Sequence, residues 1–231
     1  MSLSFLTAAR SASAPVALSP FDAATSAAGA SFEVRDGWRV PTGFGDLRAE
    51  ALACESAVGW ADVSHLGKLE IQVADDAADE LVALAHGMQL GRAVAARGAL
   101  WCLLTPVRAL VLGDPATLEA RPVLRVVDVT CQFAALRIGG PLARETFARF
   151  CALDLRAQAM PIGACMPGSV ARTPGLVVRE GADQFLVLTG AAVALYLWEV
   201  VSDAGARLGG RPVGADVLPA GTELEEAGTH A

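Results

Sequence analysis

The sequence has no Cys-x-x-C pair, no run of lysine or arginine, and a single tyrosine, Tyr196. Its five cysteines (Cys54, Cys102, Cys131, Cys151 and Cys165) are odd in number and widely spaced. Neither a disulfide framework nor a zinc site is indicated, and a reducing cytoplasm is the expected compartment. Without clustered cations, and with a formal charge of −7, nucleic acid and anionic membrane surfaces are excluded as partners. No apolar run approaches the ~20 residues that span a bilayer, so a soluble chain with no membrane segment is expected. The N-terminal stretch lacks a basic region and Arg10 breaks its apolar run, which argues against a secretory signal. A Gly-rich phosphate fingerprint is also missing, and this disfavours a dinucleotide-binding sheet.

What is present is apolar. The 231 residues are 53% hydrophobic and 19% charged, a composition that predicts a well-buried chain with a sticky surface and a partner subunit. A chain of this length buries roughly 70% of its unfolded surface and needs no metal or disulfide to fold.

Residues 1–18 read as a flexible arm, 19–215 as one module, and 216–231 as a C-terminal tail whose end, "ELEEAGTHA", is expected to fray. Ser19, Pro20 and Gly29 bracket a short helix. "RDGWRVPTGFGD" reads as a turn-rich loop ahead of a helix from Leu47 to Ala57. Lys68 to Val73 alternates with period two, the pattern of a half-buried strand. A helix closed by Gly87 follows, where His86 reads as a C-terminal residue favoured by the dipole. Two short strands flank Thr105-Pro106, and strands come next at "LRVVDVT" and "AALRI". A helix from Pro141 to about Cys151 precedes a hairpin of "GLVVRE" and "QFLVL". The last helix places Leu195, Trp198, Val201 and Leu208 on its apolar side. Asp62-Val63-Ser64-His65 and Asp128-Val129-Thr130-Cys131 each precede a strand and then a helix, which suggests two related units in an α+β fold.

"SPFDAATSAAGASFEVRDGWRVPTGFGD" with "ESAVGWADVSHLGKLEI" resembles the start of the glycine-cleavage T-protein, the tetrahydrofolate-dependent aminomethyltransferase. The segment from "DVTCQFAALRIGG" to "LYLWEVVSDAG" is similar to the gamma subunit of heterotetrameric sarcosine oxidase, in the same folate-binding superfamily. Together the resemblances cover roughly residues 19 to 215. They imply two linked ferredoxin-like α/β layers around a central folate cavity, with the C-terminal barrel domain of a full T-protein absent. The Lys-Gly-Cys-Tyr-x-Gly-Gln motif of the iron–sulfur-assembly branch is also absent.

The resemblance implies a carboxylate near the folate nitrogens, supplied in the family by a Gly-Gly-x-x-Asp-Asp strand. The matching residues here are Gly98 to Leu103, so Cys102 and Leu103 replace the acids and the chain is not expected to be catalytic alone. The family's Gly-Tyr-Thr-Gly-Glu turn corresponds to "RTPGLVVREG", which leaves Arg172 and Glu180 as candidate cofactor residues, joined by His65 and Trp101 at the implied cavity. Each has a simpler reading. Glu180 fits a solvated hairpin residue beside Gly181. Asp62 and Ser64 fit a backbone-bonded turn with His65 packed at its edge. Trp60, Trp101 and Trp198 fit core or interface anchors, and Cys102 and Cys131 fit buried apolar thiols. A Ser64-His65-Asp62 triad is excluded, because adjacent strand residues point to opposite faces.

The expectation is an accessory subunit of a tetrahydrofolate-linked complex that oxidises N-methyl amines, with flavin in a flavoprotein partner and a hetero-oligomeric assembly. The alternatives are a stand-alone aminomethyl- or methyltransferase, with an acid from a position such as Asp114, and a folate-binding regulatory protein.

Overall fold

The computed structural model describes residues 15–84, 88–113 and 121–221. Asp114, His86 and Gly87 lie outside the described residues, as do 1–14 and 222–231. The first described element is β1 (Ala17–Leu18), which falls inside the stretch read as a loose arm and pairs in parallel with a later strand. Helix α1 (Asp22–Ala27) is shorter than expected: Ser19 Oγ accepts from Phe21 N, and Gly29 follows at φ +82°. The "RDGWRVPTGFGD" loop is a hairpin instead, with β2 (Ser31–Arg35) and β3 (Trp38–Gly43) joined at Asp36-Gly37. Both turn residues have positive φ, 49° and 79°, the conformation that Asp-Gly hairpin turns favour. Helix α2 (Leu47–Ser56) is as expected. Asp46 caps it by accepting from Arg48 N and Ala49 N.

The first repeat then runs β4 (Gly59–Asp62), β5 (Lys68–Gln72), α3 (Ala78–Val82), β6 (Ala93–Ala96), β7 (Ala99–Thr105), β8 (Arg108–Gly113) and β9 (Arg125–Asp128). The second contains β10 (Phe133–Gly139), α4 (Ala143–Ala148), β11 (Cys165–Val170), β12 (Thr173–Gly181), β13 (Gln184–Gly190) and α5 (Ala194–Ala206), closed by β14 (Arg211–Pro212). The strands read around Thr105-Pro106 and the β12–β13 hairpin are present. Strand β6 and strand β11, with its Pro167 and Gly168, had not been expected.

The two larger sheets have matching orders, β6-β7-β8-β5-β9 and β11-β12-β13-β10-β4, the latter extended by β14. Each sheet takes its last core strand from beside the other: β4 pairs antiparallel with β10, and β9 pairs antiparallel with β5. The echoed Asp-x-Ser/Thr turns sit where these strands end. Ser64 N donates to Asp62 Oδ1 at 2.9 Å, and Thr130 N donates to Asp128 Oδ1 at 2.8 Å. Across the join, Ala135 N donates to Ser64 Oγ at 3.0 Å and Lys68 N donates to Thr130 Oγ1 at 2.9 Å. The repeated turns are therefore fasteners between the halves. Ser64→Ala is expected to cost about 1–3 kcal/mol, because it leaves a buried N–H unpaired; urea unfolding measures it, and an unchanged midpoint would count against this role.

Trp60 and Trp198 lie in the apolar layer beneath the β10-β13 sheet, while Trp101 lies in a separate cluster with Ile71 and Leu81. Helix α5 buries Ala194, Leu197, Trp198, Val201, Ala204 and Gly205. The expected face was wrong at Leu195, which is 49% exposed. Gly205 sets the true register, since a Cβ there would lie 2.4 Å from Trp60 Cζ3. The stretch read as tail is docked through residue 221: Leu218 is buried and Asp216 pairs with Arg35. Among the described residues no helix is long and apolar enough to cross a membrane.

Candidate functional site

A cavity of about 420 Å³ lies between the two large sheets. The β6–β7 hairpin supplies Ala95 to Leu100, Leu112 comes from β8, Leu186 from β13, and Ala220 and Gly221 from the docked C-terminal segment. Two charged residues from the second sheet, Arg137 on β10 and Glu180 on β12, complete the wall. Arg137 Nε donates to Glu180 Oε2 at 2.6 Å and Nη2 donates to Oε1 at 3.0 Å, a two-bond fork. Such forks fix orientation as well as add energy. Arg137 Nη1 also donates to Leu218 O, and Gln184 Nε2 donates both to Glu180 Oε2 and to Pro219 O. This network ties the C-terminal segment to the cavity wall.

Glu180 is 1% exposed, so its reading as a solvated hairpin residue is corrected. The residue that holds it is 43 positions away in sequence, and burial in a pair follows from that long-range contact. Arg137 was not singled out from the sequence. Its signal was a lone cation inside the apolar strand "AALRI", since a buried cation requires a partner.

The other candidates are not brought to this cavity. Trp101 is 1% exposed on the opposite side of its sheet, where Nε1 donates to Ala96 O. Arg172 sits in the tight β11–β12 turn at φ 63°, beside a surface groove lined by Arg149 and Tyr196. Cys102 is fully buried in an apolar cluster with Cys165, whose thiol contact and burial push the Cys102 pKa well above its usual value. A thiol so held is neutral, and thiolate chemistry requires the ionised form. Leu103 points to the other face, into the Trp101 cluster. Cys131 is exposed, contrary to its reading as a buried thiol, because it follows Thr130 on a short turn between strands.

His65 adjoins the cavity residue Leu66 and is partly buried. Burial first, then Lys68, Arg35 and Arg137, lowers its pKa to about 4, with Asp216 opposing. Lys68 is completely buried and its Nζ donates to Ser64 O at 2.8 Å and Leu66 O at 2.9 Å, while burial lowers its pKa to about 8. Asp62 is buried as well, and burial raises its pKa against the opposing hydrogen bonds of Ser19 and Ser64 and the charge of Lys68. Lys68 thus fills this cluster with a cation bound to backbone carbonyls. A group of three or more His, Cys, Asp or Glu side chains suited to a metal is absent among the described residues.

The lowered His65 pKa predicts a pH effect. The folded state holds the imidazole neutral, so the unfolded chain binds the extra proton between about pH 6.5 and 4. Stability is full above 6.5 and falls as pH drops through that window. Thermal melts should show this slope, and His65→Gln should flatten it; an equal slope in the variant would show that other groups cause it.

No protein-family model matches the chain. It is 29% identical over 217 residues to an aminomethyltransferase from Saccharopolyspora erythraea, covering 81% of this chain and 58% of that one. An aminomethyltransferase from Synechococcus elongatus is 26% identical over 217 residues, with the same coverages. The chain thus spans 58% of the length of these curated relatives. Among solved structures, heterotetrameric sarcosine oxidase from Corynebacterium sp. U-96, in complex with pyrrole 2-carboxylate, superposes with a TM-score of 0.63 at 20% identity. That match covers 82% of this chain and 95% of the other. Glycine cleavage system aminomethyltransferase T from Bartonella henselae gives 0.68 at 18% identity, covering 86% and 60%. The resemblance to the T-protein and sarcosine oxidase gamma superfamily read from the sequence is borne out, and the α+β fold with mixed sheets is similar to the T-protein fold.

Proposed function

We propose that this chain is an accessory, non-catalytic subunit of a tetrahydrofolate-linked complex that oxidises N-methyl amines, and that the cavity between its sheets is the folate site. The observation that carries the reading is the cavity's charge inventory. Its one carboxylate among the described lining residues, Glu180, is already held in a fork by Arg137. Where the family's acids stand, Cys102 and Leu103 are buried in apolar clusters on opposite faces of β7. Such a wall can bind and orient a ligand, but it offers no free carboxylate to polarise an amine.

In this reading the matching sheets are two ferredoxin-like layers, and folate, if bound, supplies the nitrogens that capture a one-carbon unit. The chain's own residues enclose the ligand, exclude water and present a fixed, mutually neutralised pair. A flavoprotein subunit supplies the oxidation in a hetero-oligomer. The matched structure is a heterotetrameric sarcosine oxidase, which supports reading this chain as one subunit of a hetero-oligomer. A cytoplasmic location follows the cysteine usage.

Calorimetric titration of the purified chain with tetrahydrofolate tests the cavity assignment. Micromolar binding that Leu66→Trp abolishes is expected, since that side chain projects into the lining; binding that survives the filled cavity, or none in the wild type, would refute the assignment.

A further inference from the structure

A surface groove of about 580 Å³ lies where the chain after α4, the β11–β12 turn and α5 meet, and it shares no lining residue with the central cavity. Backbone pairing builds it. Cys151 bridges Val170 antiparallel, Ala152 N donates to Ser169 O at 2.9 Å, and Ala171 N donates to Phe150 O at 2.7 Å. The chain after α4 thereby runs along β11 and brings Arg149 and Phe150 beside the turn. Both turn residues are left-handed without being glycine, Ala171 at φ 48° and Arg172 at φ 63°. Thr173 Oγ1 donates to Val170 O at 2.9 Å across the turn, which holds the exposed Arg172 at the groove's rim.

The groove's charge runs against that of the chain. The protein carries a formal −7, yet the described lining has two arginines and no carboxylate. Arg149 keeps one exposed bond, from Nη2 to Glu145 Oε1 at 3.2 Å. The Arg172 guanidinium and the hydroxyls of Tyr196 and Ser169 make no hydrogen bond or ion pair among the described residues. Phe150 and Val200 form an apolar floor, with the Phe150 ring braced 5.2 Å from that of Phe147. Tyr196 is 45% exposed beside it. Tyrosine and arginine around an apolar centre are the composition of protein docking surfaces. Past Val200 the surface changes sign, because Glu199 and Asp203 line the next groove and Arg207 is bonded to Asp203. An acidic segment is therefore attracted at the Arg149 and Arg172 end and repelled further along α5.

We propose that this groove docks a segment of a partner polypeptide that carries two carboxylates around an aromatic residue, the carboxylates meeting Arg149 and Arg172 and the ring meeting Tyr196. This rests on the reading of the chain as a subunit of a hetero-oligomer, under which the segment belongs to the flavoprotein. Small-molecule sites enclose most of their ligand, whereas here both arginines and the tyrosine are exposed. A segment anchored by the rest of its own protein needs no such enclosure.

The test titrates the full chain against two rhodamine-labelled peptides, read by fluorescence anisotropy. One carries two glutamates around a central phenylalanine, and its twin has both glutamates changed to glutamine. The acidic peptide should bind in the submillimolar range and the twin more weakly. Arg172→Gln should weaken the acidic peptide about fivefold, the scale of one exposed ion pair, and leave the twin unchanged. Tyr196→Ala should weaken both by removing the ring contact. Arg125→Gln, which removes an exposed arginine on β9, should change neither. Equal binding of the two peptides, equal effects of Arg172→Gln and Arg125→Gln, or no binding by the wild type would overturn the proposal. A dimer in sedimentation velocity that Arg172→Gln dissolves would also overturn it, by giving the groove to a second copy of the chain. If the peptides behave as expected but the chain alone turns over an N-methyl amine, the docking groove stands and the accessory-subunit reading fails.

Discussion

Glu180→Leu is expected to destabilise the fold by about 3–5 kcal/mol, and the double variant Arg137→Met, Glu180→Leu to recover most of that loss. Arg137 and Glu180 are 5% and 1% exposed and bonded at 2.6 and 3.0 Å. Removing one partner strands the other charge in a low-dielectric wall, whereas removing both removes the desolvation cost with the attraction. The single variant should also loosen the segment around Leu218 and Pro219, because Gln184 and Arg137 reach it through this network. Urea unfolding measures the energies and amide exchange near Leu218 the loosening. A single variant within 1 kcal/mol of wild type would contradict the pairing.

The second large effect belongs to Glu50, a helix residue with no exposed surface. Its Oε1 accepts from Phe44 N at 2.6 Å and its Oε2 from Gly214 N at 2.8 Å, so one carboxylate joins the end of β3 to the chain after β14. Glu50→Ala leaves two buried N–H donors unpaired, at about 1–3 kcal/mol each, for an expected loss of about 2–5 kcal/mol. Glu50→Gln retains one acceptor and should lose about half as much. The midpoint of chemical unfolding reads both; equal losses in the two variants would show that the side chain's volume, not its oxygens, matters.

These two clamps show where sequence reading reaches its limit. The strands at Lys68–Val73 and around Thr105-Pro106 and the β12–β13 hairpin were legible because strand periodicity is local, but β5 is buried on both faces, not half-buried as expected, because Lys68 and Glu70 find partners there. The Asp-x-Ser/Thr echo was legible too, but its role was not, since Ser64 reaches Ala135 and Thr130 reaches Lys68 across the exchanged strands. Glu180 looked solvated beside Gly181 because its partner stands on a different strand. The Asp36-Gly37 turn carried a hairpin signal that the neighbouring Pro41 obscured: Pro41 sits inside β3, paired with Phe32. Cys102 and Leu103 in the Gly98–Leu103 stretch were readable directly, and neither lines the cavity. Arg137 was not, because a strand arginine acquires meaning only when its carboxylate partner on another strand is known.

The most direct test of the accessory-subunit account is a turnover assay with the purified chain, tetrahydrofolate and an N-methyl amine such as sarcosine, run with and without a co-expressed flavoprotein amine oxidase. The account predicts one-carbon transfer to folate only when the flavoprotein is present. Turnover by the chain alone would contradict it.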